Sequence, residues 1–350
     1  MRHRIGFIAD VQFADIDDVW NFMKTHKRKY RATLTALRNG VDWWKETDGL
    51  DFVADLGDAI DGFRNSDRAM GMHAIREVMG EWNRFTQARP YVPVVHLIGN
   101  HELYKFTREE LTHGVEPTGF SCSCPSNASN MCDRPKSIYF SLKLRPDSPW
   151  RIVVLDPYDE SVMTNGGGRV GHELMMENGG LHAAHTAKCQ SNNPNDILKA
   201  VNYFAGLEGV DSRWCPLNGG LGPDQLIWLE DVLKNAFIDK EKVIILSHVI
   251  LHPEATPRGN CHTLLWNFDM ILNLIERYDC VKLALYGHAH QDGYFWCSQT
   301  GVHHVTVPSP LEAHDEDVEQ TFGILEISDD DATATIIGRG AVKSRTLELR

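Results

Sequence analysis

Two aspartates, an asparagine, a glutamine amide and three histidines that could ligate metal, with a fourth histidine, His101, beside them, stand in five short polar islands of this 350-residue chain. The islands read Asp10-Val11-Gln12, Gly57-Asp58, Gly99-Asn100-His101-Glu102, Ser247-His248 and Gly287-His288-Ala289-His290. Carboxylate, imidazole and amide donors without a thiolate suit manganese, iron or zinc better than a soft metal. Asp58 could bridge two such ions, because a carboxylate has two oxygens. Paired divalent metals about 3.5–4 Å apart can clamp the attacking and leaving oxygens of an in-line displacement at phosphorus. Water activated between them would be the nucleophile, so no protein nucleophile is needed. The sequence accordingly shows no convincing Ser-His-Asp or Cys-His signature and no Walker-type phosphate loop. Such a ligand set is the chemistry of a dinuclear metallohydrolase.

Each island closes a short apolar run: Arg4 to Ala9, Asp51 to Leu56, Tyr91 to Ile98, Lys242 to Leu246 and Val281 to Tyr286. Continuous rather than alternating runs predict strands covered on both faces. Helix-like stretches, such as Tyr30 to Glu46 and Ser66 to Ala88, lie between them. That alternation predicts β-α-β units around a parallel or mixed sheet, where ligands gather beyond the carboxyl ends of strands. After Tyr294 the pattern changes to alternating strands over 294–298, 302–307, 322–328 and 333–338, expected to complete a second sheet.

The series D-x-(H/Q), G-D-x-x-D, G-N-H-E, S-H and G-H-x-H, spanning residues 10 to 290, resembles the calcineurin-like metallophosphoesterase superfamily. The resemblance implies an α/β fold, a four-layer αββα sandwich with mixed sheets. It also implies that Asp10, Gln12, Asp58 and His290 hold one metal, and Asp58, Asn100, His248 and His288 the other. His101 would face the substrate as general acid or charge stabiliser, with Asp61 orienting it. Position 12 is Gln where most members carry His, and Asp10 to Asp15 (DVQFAD) is similar to the manganese-dependent ADP-ribose/CDP-alcohol diphosphatases. Further similarity runs through residues 155–159 (LDPYD), 193–195, 217–220 (LNGG), 225–229, 261–267 (CHTLLWN) and 301–305. A neutral amide oxygen is a harder ligand than imidazole, so Gln12 tilts the site toward Mn²⁺ or Mg²⁺ over zinc, with iron also possible. By this resemblance the substrates are nucleoside diphosphates linked to ribose, choline, glycerol or similar alcohols. The products would be a nucleoside monophosphate and the phosphorylated partner. A phosphomonoesterase or cyclic-nucleotide phosphodiesterase on the same metal core is the second reading, and a non-catalytic scaffold a third. The scaffold predicts eroded ligands, whereas all seven ligand positions and His101 are filled.

Composition bounds the partners. A formal net charge of −13 argues against a general nucleic-acid binder. Anionic substrate would instead be met by positive charge concentrated at the metals. No stretch approaches the roughly 18 apolar residues of a membrane span. The chain opens on a strand, so no leader peptide is expected and a cytoplasmic monomer is the favoured expectation. Ligands at both ends of the chain predict one domain over 1–350, with insertions at about 103–136 and 157–222 that are candidate lids. Eight cysteines could pair, but not in that compartment. Cys122, Cys124 and Cys132 with His113 could hold a structural zinc, although C-x-C-x7-C is not a zinc spacing, and a Cys-rich loop is the plainer reading.

Substrate contacts are less defined. Lys24 to Arg31 is a basic run expected to be mostly a solvated face. Within it Lys27, Arg28 or Arg31 could meet the distal phosphate or the terminal sugar. Phe22 could stack on a nucleobase, and family similarity points to Leu207 and Cys261 as lining of the nucleoside pocket. His73, His96, His182, His185 and His262 are expected to be packed or solvent-facing, and His303-His304 to be structural strand residues.

Overall fold

The computed structural model describes the whole chain except residues 22–23, 63, 65–66, 164–182, 200–201, 331 and 350. Phe22 and His182 therefore lie outside the described residues. Twelve strands build two six-stranded sheets. In chain order they begin with β1 (Arg2–Ile8), β2 (Leu50–Asp55), β3 (Val94–His96), β4 (Phe140–Lys143) and β5 (Trp150–Val154). Next come β6 (Lys242–Ser247), β7 (Val281–Tyr286), β8 (Gly293–Trp296) and β9 (His303–Thr306). The last three are β10 (Phe322–Ser328), β11 (Thr333–Arg339) and β12 (Arg345–Glu348).

The first sheet runs β12-β11-β10-β1-β2-β3 and the second β8-β9-β7-β6-β5-β4. β1, β2 and β3 are mutually parallel, as are β5, β6, β7 and β9, while the remaining pairings are antiparallel. Parallel strands need crossover connections, and the helices supply them. α1 (Tyr30–Glu46) joins β1 to β2, and α2 (Arg68–Ala88) joins β2 to β3. α3 (Pro223–Ile238) precedes β6 and α4 (Phe268–Tyr278) precedes β7.

Side-chain direction explains the layers. Ile5, Phe7, Phe52, Ala54 and Val95 of one sheet meet Trp150, Ile152, Ile244, Leu246, Leu283 and Leu285 of the other in a continuous apolar core. Ile8, Val53 and Val94 turn outward instead and pack with Leu37, Val41 and Trp44 of α1 and Val78, Trp82 and Phe85 of α2. On the far side Val153, Val243, Ile245 and Ala284 pack with Leu229 and Leu233 of α3 and Ile271 and Ile275 of α4. The result is the expected four-layer αββα sandwich. Both faces of the central strands are buried, which is why their sequence is continuously apolar. Trp44 and Trp82 stack at 5.9 Å and lock α1 to α2.

To the two large sheets the structure adds three strands that the apolar runs did not announce: β4, β5 and β12. β4 and β12 are edge strands, and edge strands carry mixed residues, as in Arg345-Thr346-Leu347-Glu348, so their period is weak. β3 is only three residues long, because Tyr91 to Pro93 form the approach to it. Among the described residues no helix is long and apolar enough to cross a membrane.

Candidate metal centre

The five islands meet at the carboxyl ends of β1, β2, β3, β6 and β7, where both sheets open onto one cleft. The loops continue the ladder of the strands they leave: Asp10 N–H donates to Gly57 O at 3.1 Å and Gln12 N–H to Asp58 O at 2.8 Å. Gly287 N–H likewise donates to His248 O at 3.0 Å. The backbone there is forced into an uncommon region. Asp10, Gln12, Asp58, His288 and His290 have φ of 50°, 40°, 56°, 68° and 60°. Non-glycine residues at positive φ are costly and gather at functional sites, where the surrounding bonds hold them. The glycines of the motifs answer to space. A Cβ on Gly99 would lie 2.1 Å from Asp58 Oδ1, and one on Gly57 2.7 Å from His248 Nδ1.

Asp58, His248 and His288 each bring a ligand atom within 4.8 Å of the other two. On the other side of Asp58, His290 Nε2 lies 3.5 Å from Asp10 Oδ1 and 2.8 Å from the Gln12 amide nitrogen. That nitrogen is 3.1 Å from Asp58 Oδ2. Asp58 thus lies between these two groups of side chains. Asn100 flanks the first group: its Oδ1 accepts from Tyr158 at 3.2 Å, and its Nδ2 donates to Tyr104 at 2.7 Å.

Each histidine is oriented so that one ring nitrogen faces the centre. His248 Nδ1 donates to Leu56 O at 2.7 Å, which turns the buried Nε2 toward Asp58 Oδ2, 3.2 Å away. Asn218 spends its amide protons on the carbonyls of Arg213 and His262, so its Oδ1 accepts from His288 Nε2 at 2.8 Å and frees His288 Nδ1. His290 Nδ1 donates to Glu312 Oε1 at 3.2 Å, which turns Nε2 inward. Imidazoles fixed in this way by an outer partner are the usual preparation for metal ligation. Gln12 Oε1 is buried without a partner, and a flip of the terminal amide would exchange that oxygen for the nitrogen now facing Asp58 and His290. The inward-facing imidazole nitrogens, the Asp10 and Asp58 carboxylates and the unpartnered Gln12 Oε1 form a donor set that fits a pair of divalent cations.

Electrostatics point the same way. Burial would lower His248, but Asp58 and Asp10 raise it to about 10. Burial pushes Asp10 up to about 6 against His248 and His290. Asp58 resists its own burial, and the histidines around it hold its carboxyl well below the usual range. A cluster that retains a proton so strongly is one that asks for a cation.

His101 follows Asn100 on the short helical turn Asn100–Leu103 and lines the cleft. Its Nδ1 accepts from Gly62 N–H at 3.0 Å and lies 3.6 Å from Asp61 Oδ1, so the Nε2 proton is left for the cleft. Burial works against its charged form, yet Asp58 and Asp61 raise its pKa above the ordinary value. The cleft is a cavity of about 710 Å³ whose lining includes Arg28, Arg64, Tyr203, Leu217, Arg258 and His262.

Of the proposed substrate residues, Arg28 lines this cavity and pairs with Glu312 at 2.8 Å. Leu207 and Cys261 do not line it; Cys261 is buried, its thiol 3.8 Å from Thr256 Oγ1. Lys27 and Arg31 point away, to Asp18 and to Asp15 and Asp17. Lys29 reaches Asp315, so most of the basic run is a paired surface. Cys122 is buried with its thiol 3.7 Å from Leu97 O, and Cys122, Cys124, Cys132 and His113 do not form a metal cluster among the described residues. All eight cysteines are free. His96 pairs with Asp55 at 3.0 Å, while His303 and His304 are buried against Tyr294 and Tyr286. Sequence reasoning did not single out Glu102, Asn218 or Glu312. Glu102 is fully buried and accepts from the backbone N–H groups of Asp58 (3.0 Å), Ala59 (2.7 Å) and Gly99 (2.8 Å). Burial, with Asp58 and Asp55 nearby, pushes its carboxyl up to about 8.

Residues 3–292 match the family model for calcineurin-like phosphoesterases, and the chain belongs to that family. Its curated relatives narrow the group. The chain is 34% identical over 98% of its length to a manganese-dependent ADP-ribose/CDP-alcohol diphosphatase of Arabidopsis thaliana, covering 96% of that protein. It is 32% identical to the human protein of the same name, covering 99% of this chain and 92% of the relative. A crystal structure of a dimetal phosphatase from Danio rerio superposes with a TM-score of 0.80 at 28% identity, with 99% of each chain covered. The chain is accordingly a metal-dependent phosphoester hydrolase with the fold of its relatives.

Proposed function

We propose that this chain, with manganese, hydrolyses the pyrophosphate bond of ADP-ribose and of CDP-alcohols such as CDP-choline and CDP-glycerol. Nucleoside monophosphate and the phosphorylated sugar or alcohol are the products. The observation that carries this reading is the 34% identity sustained over nearly both full lengths with a relative bearing that activity in its name. The amide at position 12, oriented among Asp58 and His290, supports manganese as the metal.

In this reading Asp10, Gln12, Asp58 and His290 hold one ion, and Asp58, Asn100, His248 and His288 hold the other. When bound, the two ions supply Lewis acidity and a water of lowered pKa positioned for in-line attack. The protein does the rest. Asp58, clamped through its neighbouring amides by Glu102, keeps the half-sites in register. His101 offers its Nε2 proton to the phosphoryl oxygens or the leaving phosphate; Gly62 N–H on Nδ1 sets the ring, and the Asp61 carboxylate 3.6 Å away steadies the charge that the imidazole takes on in the reaction. Arg28 and Arg258 on the cavity wall offer positive charge to the second phosphate. That local charge is what an acidic protein needs to accept a dianionic diester.

One domain over 1–350 with insertions at about 103–136 and 157–222 fits this reading, because Tyr104 of the first insertion and Tyr203 and Leu217 of the second line the same cavity as Asn100 and His101. Eight unpaired thiols support the cytoplasmic part of this reading, in which the chain acts as a monomer. Incubating metal-free protein with Mn²⁺, Mg²⁺ or Zn²⁺ and ADP-ribose, CDP-choline, a cyclic nucleotide or p-nitrophenyl phosphate tests the activity. Release of AMP and CMP, with Mn²⁺ well above Mg²⁺, is expected. Turnover confined to the monoester or cyclic ester would overturn the substrate assignment.

A further inference from the structure

Glu312 lies 22 residues beyond His290 and belongs to none of the five motifs, yet its carboxylate sits between the metal centre and the cavity wall. Its side chain is only 6% exposed. Oε1 takes both the His290 Nδ1 proton at 3.2 Å and the Arg28 Nε proton at 2.8 Å. Oε2 takes an amide proton of Asn21 at 3.2 Å, with His26 Nδ1 at 3.8 Å. Asn21, Arg28 and Trp20 lie on or beside the hairpin formed by Val19–Trp20 and Lys27–Arg28, and all three line the cavity. The turn that carries Glu312, Pro310–Glu312, is itself tied to the centre. Ser309 caps it at Leu311 N–H (2.9 Å), donates its hydroxyl to Asp10 O (2.6 Å) and its N–H to His290 O (3.1 Å). Glu312 is thus placed by the two metal loops and in turn places the hairpin.

From this geometry we infer that Glu312 is a positioning residue with two tasks: it fixes the His290 imidazole for the ion shared with Asp10 and Gln12, and it aims Arg28 at the substrate's second phosphate. The inference rests on the dinuclear reading above. A carboxylate accepting from Nδ1 selects the tautomer with a free Nε2 and makes that nitrogen a better donor. The other two histidines lean on neutral partners, Leu56 O and Asn218 Oδ1, so the carboxylate brace is particular to one half-site. The same carboxylate holds the guanidinium fork of Arg28 at Nε, which leaves its terminal amino groups as the atoms directed to a phosphate.

The test compares Glu312→Gln, Glu312→Ala and Arg28→Met with the unmodified protein. Mn²⁺ titration calorimetry without substrate should show one of the two ions bound about 10–100-fold more weakly in Glu312→Ala. In Glu312→Gln the loss is expected to be several-fold, because an amide oxygen keeps the acceptor but not the charge. In both variants KM for ADP-ribose should rise. Arg28→Met should raise KM while both ions bind as before. Nitrogen-15 spectra of the metal-free protein should show His290 protonated on Nδ1, with that preference lost in Glu312→Ala. Wild-type affinity for both ions in Glu312→Gln, or an unchanged His290 tautomer in a folded Glu312→Ala, would overturn the inference. If Glu312→Ala does not fold, Glu312→Gln decides alone. Failure of the unmodified protein to take up two ions would instead sink the dinuclear reading itself.

Discussion

Replacing Glu102 with alanine should unfold the metal centre before it touches the chemistry. In the folded chain its two oxygens accept three backbone protons, at 3.0 Å from Asp58, 2.7 Å from Ala59 and 2.8 Å from Gly99. Alanine strands all three donors in a pocket where the side chain is fully buried. A buried donor left without a partner costs about 1–3 kcal/mol. Three adjacent ones share relaxation and entering water, so the total loss is roughly 3–6 kcal/mol, a large part of the ~5–15 kcal/mol that keeps a domain folded. Glutamine separates the causes. Its carbonyl can stand where Oε2 now accepts from Asp58 and Gly99, which keeps two bonds and turns an amide against Ala59 N–H. The glutamine variant should therefore lose about 1–3 kcal/mol. Urea unfolding of the metal-free proteins measures both, and Mn²⁺ uptake at native conditions follows the Asp58 loop. An alanine variant within about 1 kcal/mol of wild type would refute the argument that Glu102 clamps the loop. A variant that is stable and also binds both ions would remove Glu102 from any account of the site.

Two further outcomes probe the chemistry. His101→Ala should lower kcat by about 10²–10⁴-fold while two metals remain bound, as metal analysis and steady-state rates would show, and an unchanged kcat would take His101 out of the mechanism. Gln12→His should move the metal-activation profile from Mn²⁺ toward zinc or iron, and a profile like that of wild type would disprove the role given to the amide.

The residue types that make the centre were legible in the chain because strand ends are local features. A short apolar run followed by Asp10, Asp58, Asn100, His248 or His288 says which polar side chain stands at a strand end and where in a parallel sheet that end lies. Helices α1 and α2 were equally readable, since a buried stripe at helical spacing is written within one element. What supports the donors was not. Glu312 meets Arg28 across 284 positions and His290 across 22, and no periodicity links them. Asn218 lies 70 positions from His288 in a loop whose path is set by its own contacts with Arg213 and His262. Among the basic residues of 24–31, composition could not say that Arg28 would turn inward while Lys27 and Arg31 found carboxylates on the surface. The left-handed backbone at Asp10, Gln12, Asp58, His288 and His290 is likewise invisible in residue type, because only the packing of loop on loop enforces it. Ligand identity is a property of local sequence, whereas tautomer, amide orientation and the aim of a guanidinium depend on which distant groups the fold brings within hydrogen-bond reach.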